Sequence, residues 1–172
     1  MTRREALAAT ACLAGTFVFG KPQSASAAAR TLDPLLAYAD WLDVRPTAES
    51  LQGRVVLVDV FTFACWNCQN VTPNLRTLHR TRPSSDLAII GVHTPETPYE
   101  RDRAHVVDNL KRLGITWPVA IDNGTKLWNT YGVQYWPTQM VFDRSGRLHT
   151  TIVGDSQDAD LDKVIATLSS RA

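Results

Sequence analysis

The chain has 172 residues, 44% of them hydrophobic and 20% charged, and a formal net charge of +1. That length suits one domain with its own core, and the globular composition excludes a disordered or fibrous chain. Near-neutral charge with no long run of one sign argues against nucleic acid or an anionic surface as the main partner.

The first 29 residues, MTRREALAATACLAGTFVFGKPQSASAAA, open with Arg3 and Arg4, run through an apolar stretch from Ala6 to Phe19 and close on small residues. A charged start, an apolar middle and an A-x-A end, at Ala25-Ser26-Ala27 or Ala27-Ala28-Ala29, have the order of an export signal. The apolar stretch is about 14 residues, short of the roughly 20 that a membrane-spanning helix needs. The adjacent arginines resemble a twin-arginine signal, although Glu5-Ala6-Leu7 stands where the fuller pattern has an aromatic and a lysine. The expected division is a signal over 1–29 and a domain over 30–172, exported and soluble once the signal is removed. Loss of Arg3, Arg4, Lys21 and Glu5 takes 18 basic and 17 acidic residues to 15 and 16, a net charge of −1. Cys12 leaves with them, so the two remaining cysteines, Cys65 and Cys68, both lie in FTFACWNCQN.

Along the domain, Leu32 to Trp41 reads as a short helix and RPTAESLQGR as a polar connector. Val55 to Phe61 is an apolar, β-branched run that predicts a buried central strand. Cys65 to His79 turns helical, with Val71, Leu75 and Leu78 on one face and Pro73 expected to kink it. Leu87 to His93 predicts a second buried strand. Glu100 to Leu113 predicts a helix, its apolar stripe made by Val106, Val107, Leu110 and Leu113 and its end set by Gly114. Val119 to Ile121 is a short strand, Asp122-Asn123-Gly124 a turn, and Lys126 to Tyr131 a short helix. Gln139 to Asp143 and Leu148 to Val153 make a hairpin around Arg144-Ser145-Gly146. Leu161, Val164, Ile165 and Leu168 give the closing helix its face. This order fits a single α/β sandwich.

Two thiols two residues apart can be half a zinc site, a structural disulfide or a redox couple. No second Cys-x-x-Cys and no paired histidines complete a zinc cage, and His79, His105 and His149 lack metal spacing, so no metal is expected. Thiols in an exported compartment are not kept reduced by default, which favours a redox couple. A strand running straight into a helix places Cys65 at the helix N-terminus, where free N–H groups and the helix dipole favour a thiolate. Cys68, one turn further in, can close on Cys65 and release a mixed-disulfide partner. The Cys65–Cys68 disulfide would itself be the redox group, so no cofactor is expected.

Asp59 interrupts the apolar strand. It is either solvated at a strand edge or a proton acceptor or donor beneath the thiols, assisting Cys68 through a water. Pro137 precedes a strand; a trans bond is its usual state, and a cis bond would expose the backbone of Trp136 to pair with a substrate strand. His93 and Glu96 follow a strand that should end near the active-site edge, either as solvated loop residues or as groups that tune the thiols. Trp66, Trp136 and Thr138 are the candidate substrate-binding residues, with Tyr135 near the same rim and Trp128 in the core.

The stretch VVLVDVFTFACWNC resembles the active-site strand of thioredoxin-like proteins. Asp59 falls where that family has its buried acid, Pro73 where it has a helix-kinking proline and Pro137 where it has its cis-proline. Within the family, the chain is most similar to the TlpA/DipZ-like exported thiol–disulfide oxidoreductases. GVHTPE, LGITWPVAIDN, WNTYGVQYWPT and DRSGRL look like stretches of the DipZ C-terminal domain, and the likeness runs from about residue 41 to about 168. The resemblance implies a three-layer α/β sandwich with a central mixed sheet and helices on both faces. It also implies disulfide exchange with protein substrates, Cys65 as nucleophile and Cys68 as resolving thiol, in a monomer reset by a membrane electron-transfer partner. DipZ-like proteins carry membrane helices ahead of this domain, which this sequence lacks. Trp66-Asn67 is neither the Gly-Pro of thioredoxin nor the Pro-His of strong oxidants, so the direction of electron flow stays open. Val71 stands where some TlpA-type members have a glutamate, leaving Asp59, His93 and Glu96 as tuning candidates.

Two other functions fit parts of the pattern. Thr62-Phe63-Ala64-Cys65 matches the T-x-x-C element of peroxiredoxins, but the matching proline would fall at Val58. Cys65, Cys68 and His93 could carry copper, since soft thiolates suit Cu(I), but copper chaperones on this fold use a longer cysteine spacing.

Overall fold

The computed structural model describes residues 30–170, so the expected export signal and its cleavage site lie outside the described residues. Its centre is β2 (Val55–Phe61), the β-branched run, with all seven residues buried. β3 (Leu87–His93) pairs parallel to it on one side and β5 (Thr138–Phe142) antiparallel on the other. β4 (Val119–Ile121) and β1 (Trp41–Leu42) extend the sheet beyond β3, and β6 (Leu148–Val153) beyond β5, giving the order β1-β4-β3-β2-β5-β6.

Alternate residues of the central strands feed two separate cores, as a sheet buried on both faces requires. On one face Val55, Leu57 and Phe61 meet α3 (Trp66–Thr81), α4 (Arg103–Leu113) and α6 (Asp158–Ser169). On the other, Val56, Val58 and Val60 meet α1 (Asp33–Leu36), α2 (Ala48–Leu51) and α5 (Lys126–Tyr131). The expected sandwich, a mixed sheet covered by helices on both sides, is the observed architecture. Among the described residues, no helix is long and apolar enough to cross a membrane.

Four local readings need correction. The helix expected over Leu32 to Trp41 stops at Leu36, and Trp41 instead starts β1, paired with Ala120. The polar connector contains α2, closed by a reciprocal capping box between Thr47 and Ser50. The helix expected from Glu100 begins at Arg103, because Asp102 caps it by accepting the N–H groups of Ala104 and His105. Glu100 belongs instead to a separate 3₁₀ turn, Pro98–Arg101. The hairpin strand starts one residue earlier than expected, at Thr138.

Candidate active site

Cys65 is the N-cap of α3. Its backbone is extended (φ −78°, ψ 119°), and its Sγ accepts the backbone N–H of Cys68 at 3.4 Å. The helix follows because Val71, Leu75 and Leu78 bury one face while Pro73 stays exposed on the other. Both cysteines are free thiols in this structure, Cys65 half-buried and Cys68 buried. Burial pushes the Cys68 thiol far up, and its bond to Cys65 and the nearby charge of Asp59 add to this; a backbone hydrogen bond from Thr62 opposes them. The pair is asymmetric: Cys65 is half-buried at a helix N-terminus, and the thiol of Cys68 is held protonated inside.

Asp59 is 2% exposed at the middle of the central strand, between Gly91 of β3 and Gln139 of β5. The solvated-edge alternative is therefore excluded. Loss of hydration pushes its carboxyl up to about 7, and among the described residues its Oδ1 has no hydrogen-bond partner. The Trp136–Pro137 peptide bond is cis, and the Pro137 carbonyl accepts the N–H of Gly154 at 3.0 Å. Trp136 is half-buried and packs against Trp128, ring centroids 4.3 Å apart, so the two indoles bridge the two cores. Trp66 is 73% exposed and Tyr135 is also on the surface. Thr138 is buried instead, its hydroxyl donating to the Tyr135 carbonyl at 2.7 Å.

His93 is not a surface residue. It ends β3 fully buried, stacked on Phe63 at 5.3 Å and meeting Phe61 edge-on at 5.6 Å. Burial lowers its pKa to about 4, against a smaller opposing pull from the Glu100 charge, and among the described residues neither ring nitrogen has a hydrogen-bond partner. Glu96 is exposed. The site thus gathers the start of α3, the ends of β2 and β3 and the turn into β5 at one edge of the sheet, where open α/β sheets place their sites.

The family model described as Thioredoxin-like matches residues 53–148. The chain belongs to the thioredoxin-like family. Protein DipZ of Mycobacterium bovis is 36% identical over 107 residues, which is 62% of this chain but 15% of the length of DipZ. The thiol-disulfide oxidoreductase ResA of Bacillus anthracis is 27% identical over 114 residues, 66% of this chain and 63% of ResA. A solved thiol-disulfide isomerase from Corynebacterium glutamicum has a TM-score of 0.71 at 26% identity, covering 78% of this chain and 94% of that one. These matches bear out the TlpA/DipZ-like resemblance within the thioredoxin-like family.

One residue of this thioredoxin-like site is expected from sequence only as the start of a helix. Glu100 is fully buried and accepts five hydrogen bonds. Its Oε1 takes the Thr62 hydroxyl and the Ala64 N–H, and its Oε2 takes the N–H groups of Glu96 and Thr97 and the Thr97 hydroxyl. The carboxylate thereby ties the loop ahead of Cys65 to the loop after β3. Its signal was present in the sequence: Thr97-Pro98-Tyr99-Glu100 has the T-x-x-E spacing of a capping box with proline at its first position.

Proposed function

We propose that the chain is an exported thiol–disulfide oxidoreductase that exchanges disulfides with protein substrates through a Cys65–Cys68 couple. The observation that carries this reading is the asymmetry of the two sulfurs at the head of α3. In the reductive direction, the Cys65 thiolate attacks a substrate disulfide and forms a mixed disulfide, releasing one substrate sulfur as thiolate. Cys68 then loses its proton to Asp59 and attacks Cys65 Sγ. The Cys65–Cys68 bond forms and the second substrate sulfur leaves, so the substrate gains two electrons and the protein loses them. The oxidative direction is the reverse.

Asp59 suits this role because an acid buried near the neutral range can both take and return a proton. Among the described residues, the backbone N–H and C=O of Trp136 make no hydrogen bond, which supports their pairing with an extended substrate segment. Trp66 and Trp136 supply its apolar rim. The order of features over residues 1–29 supports export, and the mature N-terminus of secreted protein is expected just after Ala27 or Ala29. A membrane electron carrier is the proposed partner that resets the couple.

The test is exchange chemistry. Cys65→Ser is expected to abolish disulfide exchange, and Cys68→Ser to accumulate a mixed disulfide through Cys65. Exchange that survives in Cys65→Ser would refute the reading. The reduction potential then sets the direction: a value near about −270 mV makes the protein a reductant and one near about −120 mV an oxidant.

A further inference from the structure

Across the sheet at the level of Asp59 runs the row Val119, Gly91, Asp59, Gln139, Ile152, one residue from each of β4, β3, β2, β5 and β6. Residues directly opposite in adjacent strands share a face, with Cβ atoms about 5 Å apart. Gly91 has no side chain, and a Cβ there would meet Phe61 and Val119 at 3.0 Å. Ile152 is apolar, as are Leu57 and Phe61, the same-face neighbours of Asp59 along β2. Among the described residues, Gln139 is therefore the one polar side chain directly opposite Asp59 in the sheet.

Both members of this pair are almost completely buried, and among the described residues each has an unused polar atom: Oδ1 of Asp59, an acceptor, and Nε2 of Gln139, a donor. A buried amide with a free N–H is costly, and an apolar side chain of similar volume avoids that cost. Its neighbour in the row and its chemistry point to a task. An acid that exchanges a proton must be tolerated in both forms, and each form asks the opposite of its neighbour. The carboxylate needs a donor, and the carboxylic acid an acceptor for its O–H. A side-chain amide is both.

We propose that Gln139 positions Asp59 for proton exchange with Cys68, its amide N–H serving the carboxylate and its C=O the carboxylic acid. The proposal rests on the reading above, in which Asp59 takes the Cys68 proton. In that step Cys68–SH and the Asp59 carboxylate become the Cys68 thiolate and the Asp59 carboxylic acid. No bond to Gln139 is made or broken.

The titratable groups on or beside this face of the sheet include Cys65 and Cys68 from α3, His93 from β3 and Glu100 from the 3₁₀ turn, whose charge reaches His93, whereas α4 and α6 bring apolar residues, among them Val106, Leu161 and Ile165. The test measures the pH dependence of disulfide exchange together with the carbon-13 shift of the Asp59 carboxyl, in wild type, Gln139→Leu and Asp59→Asn. Gln139→Leu removes a donor from the ionised form. The Asp59 titration is expected to move up by about one pH unit and exchange at neutral pH to fall about fivefold. Combined with Asp59→Asn, Gln139→Leu is expected to cause no further loss of exchange. Should Gln139→Leu not fold, Gln139→Met is the variant measured. An unmoved Asp59 titration, or a further loss of about fivefold in the double variant, overturns the proposal even where Asp59→Asn abolishes the titration and slows exchange. If instead Asp59→Asn exchanges with the wild-type profile, the underlying assignment of Asp59 fails, and this proposal with it.

Discussion

The Glu100 carboxylate accepts the Ala64 N–H at 3.1 Å from 36 residues away in the chain, and its other bonds hold the loop after β3 against the same point. The approach to Cys65 is thus set by a residue outside its own loop. All the groups around the carboxylate are backbone N–H or hydroxyl donors, and only an acceptor on both oxygens satisfies them. Glu100→Gln puts an amino group against one set of donors and is expected to lower stability by about 3 kcal/mol in urea unfolding. It is also expected to change the rate at which Cys65 is alkylated. A variant within about 0.5 kcal/mol of wild type, with unchanged alkylation, would show that the donors do not depend on this carboxylate.

Asp59 makes the protein less stable as pH rises. Its folded value is about 7 against an ordinary 3.8, so between these values the folded state holds a proton that the unfolded state has released. The native form is favoured at the acid end of that window and penalised at the alkaline end, by on the order of 4 kcal/mol in full. Asp59→Asn is expected to gain stability over wild type steadily from about pH 4 to about pH 7 and then hold a constant advantage. Urea unfolding of both proteins across that range checks it, and parallel curves would assign the raised carboxyl elsewhere.

Trp66, a proposed rim residue, separates binding from folding. At 73% exposure and one position after Cys65, the proposed nucleophile, it contributes little to either core. Trp66→Ala is expected to leave stability within about 0.5 kcal/mol and to raise KM for a protein substrate roughly tenfold, the loss of one apolar contact of about 1.4 kcal/mol. Exchange with a small-molecule disulfide, which needs no rim, should be unaffected. Equal losses on both substrates would place Trp66 in the chemistry instead.

The central strands and α3 were legible because their signals are local: β-branched runs for β2 and β3, and a helical apolar stripe starting at the cysteines. What escaped depends on distant partners. The two residues of β1 carry no periodicity of their own and become a strand by pairing with β4. His93 stands at the end of an expected strand, where a solvated position fits the sequence as well, and its burial comes from Phe61 and Phe63, which belong to another strand and its loop. Glu100 fits a helical pattern as well as it fits a cap, and Asp102 decides between them by starting a new helix. Gln139 reads as an ordinary polar residue at a strand start until register sets it opposite Asp59.

His93 acts in the opposite sense to Asp59. Its pKa falls from 6.5 to about 4 on burial, so below 6.5 the unfolded chain takes up a proton that the native ring refuses. Its contribution to stability is complete above 6.5 and is lost as pH falls toward 4, by about 2 kcal/mol at about pH 5. Over that window the terms from Asp59 and His93 largely cancel, and wild-type stability should be flatter with pH than either single variant. His93→Phe removes two unpartnered nitrogens and keeps an aromatic ring between Phe61 and Phe63. It is expected to be more stable than wild type at about pH 5, and its stability should then decline as pH rises, exposing the Asp59 term alone. A His93→Phe curve parallel to wild type through this range would mean that the native ring takes up its proton as readily as the unfolded chain does.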